Sequence, residues 1–364
     1  MALLANVTVA FVPVLVFLAV LALMDSFKLA RPSTIATAIV CGVVAAILSG
    51  VAQASFGAAG SAGTFNWLIA PAIEETTKSA FIAYLILRRR IGFPVDAAQL
   101  GFAVGTGFAL VENLEYLRVL SGAGFVLWLV RGLGTAMLHG ASTAVFAMLS
   151  QTAAERHRDR GALVFVPGWI AATVIHTAFN VVPVSPLATT ALLLVVLPLI
   201  VLGVFHRSDL ATREWVGAGL DLDLMLHETF SSDALTYTKF GRYLQELRQR
   251  FPGHVVADML CLLRVELELS IQAKAMLIAR DAGVAMPVHP DARSAAAEIR
   301  YLRSSIGTTG LLALHPVQVS SHRDDWHRYL LVGSESARHR WLRRLQFWKA
   351  SEDAPRTVTR RDRR

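Results

Sequence analysis

Residues 71–81, "PAIEETTKSAF", set Glu74, Glu75 and Lys78 into an apolar stretch that runs from Phe65 to Leu87. A helix crosses a bilayer with about 17–25 residues, so the stretch is long enough to span. A charged side chain at the bilayer centre costs on the order of 2.5–3.5 kcal/mol on insertion scales. Three ionisable groups in five positions must therefore meet partners or water inside a cluster of helices. The stretch reads as one wall of a polar interior within a membrane bundle.

Working outward, apolar runs of similar length lie at 7–24, 33–53, 97–118, 124–149, 163–182 and 187–205. With 65–87 they make about seven spans and predict an all-α polytopic transmembrane bundle. Composition agrees: 54% hydrophobic and 17% charged residues exclude an ordinary soluble globular chain. The first run has no basic residue before it and no small-residue cleavage site after it, so it is expected to remain as a span. Lys28 and Arg31, Arg88 to Arg90, Arg156 to Arg160, and Arg207 with Arg213 follow alternate spans, while "SFGAAGSAGT" and "PVSP" carry no charge. Basic loops stay on the cytoplasmic side. This predicts a plasma-membrane protein with its N-terminus outside and its C-terminus in the cytoplasm. Cys41 and Cys261 fall at different depths and predict no disulfide.

Three regions follow: a membrane core over 1–205, a cytoplasmic helical domain over 206–335, and a basic tail over 336–364. In the second, Phe240, Tyr243, Leu244, Leu247 and Phe251 share one helical face. "DARSAAAEIRYLRSSIG" repeats the pattern and is expected to end at Gly307. "VELEL" alternates like a strand, but the length of its run favours helix. In the tail, Trp341, Leu345 and Trp348 with Arg343, Arg344 and Lys349 predict a basic amphipathic helix able to lie on an anionic leaflet or to pack on its own domain. Residues 350–364 are expected to be disordered. No recognition module accompanies this charge, so nucleic acid is not an expected partner.

Polar residues within the spans are few. Span 3 holds Glu74, Glu75 and Lys78, span 4 Glu112 and Asn113, span 5 His139 and Thr143, and span 6 His176 and Asn180. Glu74 and Lys78 stand at i, i+4 with the acid first, the favoured order for a helical ion pair, and Glu75 projects about 100° away. That spacing expects Lys78 to pair with Glu74 and leaves Glu75 the freer acid. Gly101, Gly105 and Gly107 ahead of Glu112 offer a surface on which another helix can close. Asn113 and Thr143 read more readily as packing residues than as chemical ones.

Two histidines and several carboxylates on four helices fit two hydrolytic sites. In one, His139, His176 and Glu112 hold zinc with a water in the fourth position while another Glu acts as base. In the other no metal takes part: a Glu deprotonates water, a His assists, and Asn180 stabilises the oxyanion. Other signals fail. "HETFS" has Ser231 where a zinc-protease helix needs its second His, and no G-x-S-x-G elbow occurs.

"EETTK" (Glu74, Glu75, Lys78), "FALVEN" (Glu112, Asn113), "HGAST" (His139, Thr143) and "HTAFN" (His176, Asn180), in this order on successive spans, resemble the PrsW family of intramembrane proteases. The arrangement is more distantly similar to the CAAX prenyl-protease superfamily. The resemblance covers about 1–205 and implies cleavage of a membrane-anchored protein, in known cases an anti-sigma factor, as a step of regulated proteolysis. It implies that Glu74, Glu75 and His176 are essential, with Glu112, His139 and Asn180 as further site residues. The cytoplasmic extension lies outside it and can recruit a partner. Two other classes remain in play on the residues alone: a proton-coupled transporter, which should show inverted repeats that are not visible here, and a scaffold whose cytoplasmic domain does the binding.

Overall fold

A computed structural model of the chain describes residues 2–25, 30–57, 68–119, 124–181, 185–284, 286, 292–314 and 331. The fold is all-helical, with no strand among the described residues. Each of the seven apolar runs carries helix. They are α1 (Ala2–Met24), α2 (Pro32–Gly57), α3 (Ala70–Leu87), α4 (Pro94–Val119), a short α5 (Phe125–Trp128) that passes through a π-helical turn (Leu129–Gly134) into α6 (Thr135–Arg156), α7 (Val166–Val181) and α8 (Pro186–Ser231). Among the described residues, Asn6–Met24, Pro32–Ser55, Pro94–Val119 and Arg160–Val181 are long and apolar enough to cross a membrane. α3 is not of that set, and it carries three ionisable groups in its 18 residues. The basic amphipathic helix around Trp341 and the tail 350–364 lie outside the described residues.

Local chemistry explains where these helices begin and end. Pro32, Pro94 and Pro186 stand first in α2, α4 and α8, and Pro71 and Pro167 stand second in α3 and α7. A proline there loses no intrahelical hydrogen bond and brings a φ already suited to the helix. α3 closes at its basic end with Arg89 N–H on Ile86 O (2.9 Å) and Arg90 N–H on Leu85 O (2.9 Å). That pattern needs a left-handed residue, and Arg89, at φ 54°, takes the place where glycine is usual.

Burial sorts the helices into an inner and an outer set. From Ala97 to Ala109 every residue of α4 is buried, as is every residue of α6 from Thr135 to Ala144. α1, α2 and α7 instead turn large apolar side chains outward, among them Val16, Val40, Val51 and Val174. A soluble fold would hide these and expose Lys78, Glu75 and His139, which are all 0% exposed. Polar groups within and an apolar belt without are what a lipid solvent demands.

Glycine makes the inner contacts possible. A side chain at Gly105 would run into the His139 carbonyl, and one at Gly101 would meet the backbone of α6 at Thr143. On the other face of α4, Gly107 lies against Ile39 of α2, and Gly42 of α2 lies against Val104. The glycines read from the sequence thus serve two seams rather than one. α1 joins through Phe17 on Phe102 (5.0 Å between ring centroids) and through Asn113, whose amide donates to Ala10 O at 2.7 Å.

The chain divides into two compact units, Met1–Gly219 with Leu277–Met286, and Leu220–Met276 with Pro287–Arg364. The sequence places a change of solvent near residue 205, yet α8 continues through it to Ser231. A switch from apolar to polar side chains alters the surroundings of a helix without breaking it. Beyond α8, α9 (Lys239–Leu247), α10 (Gly253–Asp281) and α11 (Ala292–Leu314) are amphipathic helices. Thr238 caps α9 by accepting from Gly241 N–H (2.9 Å), and Leu244, Leu247, Met259, Leu262, Ile299 and Leu302 are buried. "VELEL" is helical within α10. Gly307 (φ 69°) breaks the helical geometry as expected, but the chain resumes helix to Leu314.

Candidate active site

Six of the residues singled out from the sequence meet in the first unit. α3 contributes Glu74, Glu75 and Lys78, α4 Glu112, α6 His139, and α7 His176. Glu75 Oε1 accepts from Lys78 Nζ at 2.7 Å, from Ser142 Oγ at 3.0 Å and from His176 Nδ1 at 2.8 Å. Lys78 Nζ also reaches His139 Nδ1 at 2.9 Å and lies 4.7 Å from the centre of the Phe108 ring. Beyond that ring of atoms, His139 Nε2 meets Glu112 Oε2 at 2.5 Å, and Tyr116 donates its hydroxyl to Glu112 Oε1 at 2.7 Å. The two imidazoles pack edge to face, 5.0 Å apart.

The ion pair differs from the one expected. Lys78 pairs with Glu75 at i, i+3, not with Glu74 at i, i+4. Both spacings bring helical neighbours together, so the environment chooses. Ser142 and His176 present hydrogen-bond donors to Glu75 from α6 and α7 and draw it inward. Glu74 turns toward α2, where Gln53 Nε2 donates to its Oε1 at 3.1 Å. Among the described residues its Oε2 receives no hydrogen bond, and it faces His176 Nε2 at 3.7 Å. Glu75 is therefore the more firmly anchored acid, held at Oε1 by three donors, while among the described residues the Oε2 of each acid is without a hydrogen bond.

The other residues fall outside this cluster. Asn180 sits one turn beyond His176, exposed, and none of the cluster's hydrogen bonds reaches it. Thr143 donates to the His139 carbonyl of its own helix at 2.9 Å. Three contributors escaped sequence reasoning. Ser142 is hidden in "HGAST" between the two residues that drew notice. Gln53 is a lone polar side chain near the end of an apolar run, and its own oddness there was the available signal. Tyr116 reads as an interfacial aromatic.

Glu74, His139 and His176 offer ligand atoms that all lie within 4.8 Å of one another, a possible metal-binding group. A ligand must also have a lone pair to give. His176 meets this, because its Nδ1–H is directed at the Glu75 carboxylate, as in metal-bound histidines, and Nε2 is left open. His139 does not. Its Nδ1 faces the Lys78 ammonium, which can only donate, and its Nε2 is held by Glu112. As arranged, the set supplies two ligands and does not fit a three-ligand zinc centre.

The family model described as PrsW family intramembrane metalloprotease matches residues 27–204, which include all six clustered residues. The match supports a membrane peptidase activity, with a membrane-protein substrate and a lipid environment. No curated protein and no solved structure matches the chain.

Proposed function

From the PrsW-family match over residues 27–204, we propose that the protein is an intramembrane endopeptidase whose attacking water is activated by Glu74 and His176. The observation that carries this reading is the 3.7 Å approach of Glu74 Oε2, which has no hydrogen-bond partner among the described residues, and His176 Nε2, left open by the bond at Nδ1. A gap of that length between two acceptors suits a water that donates to one or both. The water oxygen attacks the scissile carbonyl carbon and its proton passes to Glu74. The same proton then reaches the leaving amine as the C–N bond breaks. Glu75 holds the His176 ring in the tautomer that keeps Nε2 basic. Asn180, on the same face of α7 one turn on, supplies an amide N–H to the carbonyl oxygen.

Orientation follows from the basic loops. With the N-terminus outside, Glu74 in α3, Glu112 near the end of α4 and His176 in α7 all fall in the outer half of the bilayer. That depth suits a substrate cut near its extracytoplasmic boundary, and a single-span anti-sigma factor in regulated proteolysis is the substrate class the family suggests. Residues 206–335 act as a cytoplasmic domain that recruits a partner or substrate. Co-expression with single-span reporters tests the chemistry. Glu74→Gln and His176→Ala should each abolish cleavage at unchanged protein level, and undiminished cleavage in both would sink the reading.

A further inference from the structure

We infer that Lys78 is a positioning residue that fixes the tautomer of His139 and so withdraws that imidazole from metal ligation, leaving His176 as the basic imidazole of the site. The inference rests on the proposed function for its chemical meaning, but its geometry stands apart from it. An ammonium group has three N–H donors and nothing that accepts. All three have destinations here: Glu75 Oε1 at 2.7 Å, His139 Nδ1 at 2.9 Å, and the face of Phe108. Nδ1 must therefore be the acceptor, and a neutral His139 carries its proton on Nε2.

The far side of the ring agrees. Nε2 faces Glu112 Oε2, a carboxylate oxygen, and needs a proton there to make a hydrogen bond. Glu112 takes a second donor from Tyr116 on its other oxygen. The donors thus run in one direction, from Lys78 through His139 to Glu112, and end on an acceptor held at both oxygens. His176 is arranged the opposite way. Its Nδ1 meets the Glu75 carboxylate, so the proton sits on Nδ1 and Nε2 keeps its lone pair. Two histidines 5.0 Å apart are held in opposite tautomers by one Lys–Glu pair. A metal taken by this site would bind without His139 unless Lys78 first moved away. Lys78 is 0% exposed, so moving it away would leave Glu75 and His139 short of a buried hydrogen-bond donor.

Histidine 15N chemical shifts separate the tautomers without substrate or turnover. In the full-length protein in bilayers, with His139 assigned by its loss in His139→Ala, His139 should report a proton on Nε2 and His176 a proton on Nδ1. Lys78→Arg keeps a pure donor and should keep the pattern, whereas Lys78→Met should release His139. Binding of Zn²⁺ alone provides a second readout. His176→Ala should weaken it about tenfold or more, while His139→Ala should leave it unchanged. A proton on Nδ1 of His139 in the unaltered protein would overturn the inference. So would a loss of zinc affinity in His139→Ala equal to that in His176→Ala. Neither result depends on cleavage, so a failure here is separable from failure of the protease reading.

Discussion

Each of the two compact units buries a lysine on a carboxylate, and the pairs are built alike. In the first, Glu75 Oε1 accepts from Lys78 (2.7 Å) and Ser142 (3.0 Å), and in the second, Asp223 Oδ2 accepts from Lys274 (2.6 Å) and Ser270 (2.6 Å). One ammonium and one hydroxyl on a single oxygen is a way to keep a charge buried in either place. The difference lies in what else arrives. Glu75 also takes His176, and Lys78 also takes His139, so two imidazoles lean on the first pair. An ion pair becomes part of a reactive site when imidazoles are added whose tautomers it dictates.

Removing the added imidazole should have the largest effect. His176→Ala should lower cleavage by at least about a hundredfold, the contribution typical of a positioned base, while the protein still accumulates in the membrane. A milder break goes through the second pair. Lys274→Met leaves Asp223 buried without its counter-ion and should cost about 3–5 kcal/mol of stability, read as a lowered unfolding midpoint. Cleavage per folded molecule should stay within about twofold, and a larger fall would give the second pair a role in catalysis. The two serines come next. Each substitution to alanine removes a hydrogen bond to a charged group, about 1.5–3 kcal/mol. Ser142→Ala should slow cleavage and Ser270→Ala should not. Tyr116→Phe should have the smallest effect, at the low end of that range, about 1.5 kcal/mol, because the bond is only part-buried and His139 still holds Glu112.

Much of this organisation is legible in the sequence. Long apolar runs with prolines at their starts specify helices, and the scarcity of polar residues within them makes Glu74, Glu75, Lys78, Glu112, His139 and His176 conspicuous. Spacing along one helix could not tell which acid meets Lys78. That choice is made by Ser142 and His176, which come from other helices, 67 and 101 residues away in sequence from Glu75. For the same reason Gln53 stayed unread: its meaning comes from Glu74, brought close by the packing of α2 on α3. That α8 runs on past residue 205 is not legible in hydropathy, which reports the surroundings of a helix and not its continuity.

Cleavage of a single-span reporter by the purified protein in liposomes, with mass spectrometry to locate the cut, measures the proposed chemistry and its depth together. The unaltered protein should cut the reporter in the outer half of its span or just beyond, and Glu74→Gln should leave it whole. Equal cutting by both proteins, or a cut on the cytoplasmic side, would contradict a water activated by Glu74 and His176 at this depth.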